Sequence, residues 1–118
     1  MNSIKIILLM GLFSFFSNNT TTSDAIQLLD AKTFRAAIAA NENVQVVDVR
    51  TAMEFQQGHF DNAINISFFD SNFVTQMERF DKSKPIYLYC KSGNRSGKAA
   101  GLLAAKGFEE IYDLKGGY

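Results

Sequence analysis

The sequence predicts an α/β domain in which a mostly parallel sheet carries helices on both faces. Three observations lead there. Val44–Val49 and Pro85–Tyr89 are nearly continuous apolar runs rich in β-branched or aromatic residues, as strands buried on both faces require. Stretches in which apolar residues recur at helical spacing alternate with these extended runs. Gly and Pro punctuate the segments, and no internal repeat or low-complexity tract breaks the alternation.

Taken in order, Ala25–Leu29 reads as a short first strand. Asp30 is placed to cap the helix written in AKTFRAAIAA, where Ala31, Phe34 and Ile38 share a face. Asn41–Asn43 ends that helix, and VQVVDV forms the next strand. TAMEFQQGHF predicts a brief helix closing near Gly58, AINI a short strand, and FDSNFVTQMERF a helix over 69–80 capped by Asp70 or Ser71. PIYLYC is the second buried strand, RSGKAAGLLAAKGF a helix closed by Gly107, and EIYDL the last strand.

The chain has 118 residues, of which 47% are hydrophobic and 20% charged, enough for one small core and too apolar for a disordered chain. Its formal net charge of zero argues against nucleic acid or an anionic membrane as a whole-protein partner. One Cys and one His build neither the usual tetrahedral zinc site nor an intrachain disulfide, so no metal or cofactor is expected. Residues 1–25 read as a secretory signal segment: an early Lys5, an apolar run Ile6–Phe16 too short for a span of ~20 residues, and Ser23 and Ala25 spaced for cleavage after Ala25, with a cut near Ser17 as the alternative. The expectation is an exported, periplasmic or secreted protein whose mature domain covers residues 26–118, free of the membrane once the segment is removed, and monomeric.

The single thiol stands where a buried strand turns into a helix. In sheets of this kind reactive groups collect beyond the carboxyl ends of the strands, and Cys90 ends Pro85–Tyr89 while Asp48 and Arg50 flank the end of Val44–Val49. The loop Lys91–Asn94 contains Gly93 and runs into a helix starting near Arg95 or Ser96, so its amides can converge as a nest for an anionic sulfur. Lys91 and Arg95 add positive charge at the rim, and Arg95 can grip an oxyanion with two bonds. Lys98 lies a turn further along and only shades the field.

CKSGNRS resembles the Cys-x-x-Gly-x-Arg-Ser loop of rhodanese-like sulfurtransferases. VVDVR (Val46–Arg50), EFQQGHFDNAINI (Glu54–Ile66), PIYLYC, and GF followed by IYDLKGG (Ile111–Gly117) match in the same order, so the resemblance spans roughly Ile26 to Gly117. It implies a rhodanese-like three-layer domain, a five-stranded parallel sheet between helices. It also implies a reaction: Cys90 takes the outer sulfur of a small anionic donor, thiosulfate or a persulfide, and passes it from a Cys90 persulfide to a thiol, cyanide or protein acceptor. Lys91, Ser92, Gly93, Asn94, Arg95 and Ser96 are then the substrate-binding loop. Asp48 and Arg50 resemble the family's Asp-x-Arg pair, which organises the surrounding loops. Glu54 is expected to partner Arg50. His59 falls in the family's Gly-His-Ile motif, a scaffold position, with Phe60 replacing Ile.

Two other readings use the same scaffold. One is a low-turnover sulfur carrier or persulfide-binding module. The other is a phosphatase or arsenate reductase, whose loop Cys-x5-Arg is one residue longer; here the spacing is Cys-x4-Arg, with Ser at 96. Family members commonly continue past Gly-Gly to an aromatic and a closing helix, whereas this sequence stops at Tyr118; a thin helix layer with exposed apolar surface is expected to follow.

Overall fold

The computed structural model describes residues 24–118, and the leader expected over residues 1–25 lies almost entirely outside them. The elements are β1 (Ile26–Leu29), α1 (Ala31–Ala39), β2 (Gln45–Asp48), α2 (Ala52–Gln56), β3 (Ile64–Asn65), α3 (Phe73–Met77), β4 (Ile86–Tyr89), α4 (Asn94–Ala105) and β5 (Ile111–Leu114). All strand pairs are parallel, in the order β1-β5-β4-β2-β3. The expected five-stranded parallel sheet between helices is therefore the architecture found.

Helices cover both faces because successive strand residues point to opposite sides. On one side, Phe34 and Ile38 of α1 pack with Val46, Tyr89 and Leu114, joined by the half-buried Phe60. On the other, Met77 of α3 and Ala99, Ala100 and Leu103 of α4 pack with Val47, Ile86, Leu88 and Ile111. Asp30 Oδ1 accepts from Thr33 N at 2.8 Å, which caps α1 as its sequence predicts.

Two local expectations are corrected. The helix expected over 69–80 shrinks to Phe73–Met77, because turns occupy both flanks. Its N-cap is Asn72, which makes no capping bond, in place of Asp70 or Ser71. The Asp70 and Asn72 side chains instead accept from the Gln76 amide at 3.2 and 2.8 Å, competing with backbone capping. The Cys-loop helix starts earlier than expected, at Asn94. Leu28, Met53, Phe69 and Leu102 are exposed apolar side chains, scattered over different elements.

Register is what makes a site. Asp48 pairs with Tyr89 across β2 and β4, and Val49 N donates to Tyr89 O at 3.0 Å. The two chains therefore leave the sheet side by side at its carboxyl edge, one toward Arg50 and α2, the other toward Cys90 and α4.

Candidate active site

Cys90 is fully buried at the foot of its loop, yet its sulfur faces the loop amides. Gly93 N donates to Sγ at 3.0 Å and Ser96 N at 3.4 Å, while the thiol lies 3.5 Å from Ser96 Oγ. Gly93 is the N-cap of α4, at φ +99°, a backbone region that side chains with a Cβ rarely adopt. No side chain caps this helix in the ordinary way. The sulfur of Cys90 occupies the capping place, at the positive end of the helix dipole. Burial alone pushes the thiol up; the Ser96 hydroxyl and the amides of Ser96, Gly93 and Ser92 outweigh it and hold the thiol below its ordinary value.

The wall beside the loop comes from β2 and α2. Arg50 Nε donates to Asp48 Oδ1 at 3.0 Å and Arg50 Nη2 to Asp48 Oδ2 at 2.7 Å, both groups being buried. Arg50 Nη2 also donates to Gly58 O at 2.7 Å. The hydrogen bonding to Asp48 is the main cause that holds the Arg50 guanidinium in its charged form. That guanidinium lies 4.4 Å from the Tyr118 ring centre, and the Tyr118 ring stacks on Tyr89. His59 stacks on Phe55 with ring centres 3.7 Å apart, and its Nδ1 is 2.8 Å from Phe60 O.

Glu54 is not the partner of Arg50. Its oxygens accept from Arg95 Nη1 at 2.8 Å and Nη2 at 3.1 Å, so it bridges α2 to the Cys loop. Arg50 is already satisfied by Asp48, two residues back on the same strand end, and this leaves Glu54 for a cation 41 residues away. The Arg95 fork, followed by the Thr51 amide, lowers the Glu54 carboxyl to about 2. Lys91, Ser92 and Asn94 line the loop without a side-chain bond to the sulfur; Lys91 and Ser92 are exposed.

Several contributors lie in or beside the matching segments but have no role that their sequence position assigns. Asn65 Nδ2 donates to the carbonyls of Asp48 and Arg50 at 3.0 and 2.9 Å, fixing the β2 exit. Gly117 runs so close to the Cys loop that a Cβ there would stand 2.1 Å from Lys91 O, and Tyr118 N donates to Cys90 O at 2.7 Å. Asp113, on β5, lies buried beneath α4; burial pushes its carboxyl up, against a smaller opposing pull from the Ser96 hydroxyl. Two surface clefts of about 430 and 440 Å³ include no residue of the Cys90 loop. Among the described residues no three His, Cys, Asp or Glu side chains cluster as a metal would need.

Chemically, the arrangement can hold a thiolate or persulfide anion on amides while shielding it from bulk water. Comparisons with known proteins show the family to which this fold belongs. The family model for the rhodanese-like domain matches residues 30–118. The protein YqhL of Bacillus subtilis, itself uncharacterized, is 39% identical over 93 residues, covering 79% of this chain and 70% of YqhL. The thiosulfate sulfurtransferase GlpE of Shewanella oneidensis is 34% identical over 77 residues, covering 65% of this chain and 74% of GlpE. The crystal structure of a rhodanese-like domain protein from Staphylococcus aureus superposes with a TM-score of 0.68 at 27% identity, covering 77% of this chain and 86% of that one.

Proposed function

The chain belongs to the family of rhodanese-like domains, and on that premise we propose that it is a thiosulfate-type sulfurtransferase working through a Cys90 persulfide. The observation that carries this reading is the sulfur itself, taking the N-cap place of α4 on the amides of Gly93 and Ser96. An anionic Cys90 attacks the outer sulfur of the donor. With thiosulfate, an S–S bond to Cys90 forms, the bond to the sulfonate sulfur breaks, and sulfite leaves with its electron pair. The persulfide anion remains on the same amides until a thiol, cyanide or protein acceptor takes the outer sulfur. Asp48, Arg50, Glu54 and His59 hold the walls of the loop in this reading and do not touch the reacting sulfur.

One observation favours a second reading, a low-turnover sulfur carrier. The Arg95 fork is engaged by Glu54 and Cys90 has no exposed surface, so a free donor finds neither an open guanidinium nor an open thiol. The phosphatase or arsenate-reductase reading has less support, since Arg95 is spent on Glu54 and position 96 is Ser. Intact-mass analysis after incubation with thiosulfate tests the sulfur reading: one added sulfur atom is expected, and an unchanged mass sinks it. Steady-state transfer to cyanide, set against single-turnover loading, separates enzyme from carrier.

Export belongs to the same proposal. Ala25 O accepts from Ile111 N at 2.8 Å, so a cut after Ala25 would remove a sheet acceptor. This favours cleavage upstream, in the direction of Ser17. The N-terminal mass of the secreted product measures it.

A further inference from the structure

The guanidinium at the mouth of the Cys90 loop is not free. Glu54 reaches over from α2 and takes Arg95 Nη1 and Nη2 with its two oxygens, at 2.8 and 3.1 Å. The capping box fastens the same carboxylate from behind, because Glu54 Oε1 also accepts from Thr51 N at 2.9 Å and from Thr51 Oγ1 at 3.1 Å. The Glu54 fork is the main cause that holds Arg95 in its charged form, and the Cys90 sulfur adds to it. The guanidinium carbon also lies 5.7 Å from the centre of the Phe69 ring, which is 69% exposed. An anion approaching Arg95 therefore meets a carboxylate already in place and an apolar ring beside it. Lys91 and Lys98 form no ion pair among the described residues, but both are exposed, where water and salt weaken their pull.

We propose that Glu54 is a positioning residue that sets donor preference: by keeping Arg95 compensated, it slows donors that carry an oxyanion relative to donors whose leaving group is an uncharged thiol. The inference rests on the sulfur-transfer reading of Cys90 and deepens it, since it makes a persulfide the donor class that suits the mouth. In thiosulfate the outer sulfur moves while the sulfonate stays outside with its charge, and an open guanidinium is the group that would grip it. To reach Arg95 the sulfonate must displace Glu54, which exchanges one anion for another. A persulfide, R–S–SH, needs no such grip. The Cys90 thiolate bonds to its outer sulfur and the donor S–S bond breaks. The departing sulfur takes the electron pair and the proton of the outer sulfur, leaving R–SH and the Cys90 persulfide anion. The one negative charge in that exchange stays on sulfur, beside the amides of Gly93 and Ser96.

A plain brace between α2 and the Cys loop would make the same bonds, and reagents of different charge tell the two roles apart. Cys90 has no exposed surface, so every reagent must wait for the loop to open. The ratio of two alkylation rates cancels that opening and leaves the charge at the mouth. Glu54→Gln removes the carboxylate charge from Arg95 and keeps the capping box, which glutamine also completes.

The test compares alkylation by iodoacetate, an anion, with alkylation by uncharged iodoacetamide in the full chain, followed by intact mass; Cys90 is the only cysteine. Glu54→Gln is expected to raise the iodoacetate-to-iodoacetamide ratio roughly tenfold, as a newly open charge-assisted partner allows. Loading from thiosulfate should quicken by a similar factor, and loading from 2-hydroxyethyl hydropersulfide should change little. Adding Arg95→Gln to Glu54→Gln should return the ratio to the wild-type value, since the gain passes through Arg95. Thr51→Ala, which loosens the cap and keeps the bridge, should leave the ratio unchanged. An unchanged ratio in a folded Glu54→Gln overturns the proposal. So does a raised ratio that survives the loss of Arg95, or an equal rise in Thr51→Ala. If neither donor loads Cys90 while the ratio rises as expected, the sulfur-transfer reading falls and the charge control at Cys90 stands. If sulfur loads and the ratio does not move, the reverse holds.

Discussion

Two loops leave the same edge of the sheet side by side, and they finish their helices in opposite ways. At the end of β2, Thr51 Oγ1 accepts from Glu54 N at 3.2 Å, and Glu54 Oε1 accepts from Thr51 N at 2.9 Å. This capping box satisfies the helix start with oxygen atoms. At the end of β4 the corresponding bond, from the fourth residue of the cap sequence, runs from Ser96 N to the sulfur of Cys90 at 3.4 Å. The first loop spends its amides on stability. The second leaves them to a polarisable atom that can ionise and react. The same local geometry makes a scaffold in one place and a candidate nucleophile in the other, and the bridge from Glu54 to Arg95 fastens one to the other.

The contrast can be broken most completely at the sulfur. Cys90→Ser supplies an oxygen cap, making the second loop resemble the first. All sulfur loading by thiosulfate should disappear, while stability to urea changes by ~1.5 kcal/mol or less; equal loading of the variant would remove Cys90 from the mechanism. Next in size is Gly117→Ala. Its φ of +81° and a Cβ 2.1 Å from Lys91 O force the Cys loop to move, at a cost of roughly 3 kcal/mol. A fall in both urea midpoint and alkylation rate is expected, and unchanged values would show that the segment after β5 does not brace the loop.

Smaller effects sharpen the comparison from the scaffold side. Thr51→Ala removes the oxygen cap of α2 and should lower stability by about 1 kcal/mol. Because Arg95 keeps its carboxylate, Cys90 alkylation should be unaffected; a parallel loss of reactivity would mean that the two loops are not separable. The smallest effect is in acid. Glu54 is lowered from 4.5 to about 2, chiefly by Arg95, so its contribution is complete above pH 4.5 and lost as pH falls toward 2. Solvent screening limits it to about 1 kcal/mol or less. The stability difference between wild type and Glu54→Gln, measured by urea unfolding, should shrink over that interval.

Elements with local causes were readable in advance. The β-branched Val44–Val49 run, the Asp30 cap and the Gly93 turn each depend on neighbours in sequence, and each is found in place. Phe73, Met77 and Phe80 fit one helical face over 69–80, but periodicity does not register Asn72 and Asp70 drawing side-chain bonds to Gln76, and the helix is shorter than its apolar spacing. Glu54 takes the arginine farther along the chain, since proximity in sequence says nothing of which strand ends adjoin in the sheet.

The sequence by itself determined the alternation of strands and helices, the glycine-bearing crossover after the second buried strand, and the thiol at its start, because backbone preference and apolar spacing act over a few residues. Only the tertiary structure decided that Glu54 takes Arg95, that Asn65 and Tyr118 fasten the two exits, and that Asp113 lies buried beside Gly97 of α4. Those contacts follow from strand order and register, which bring together residues tens of positions apart, and such meetings are selected by the packing of the whole core.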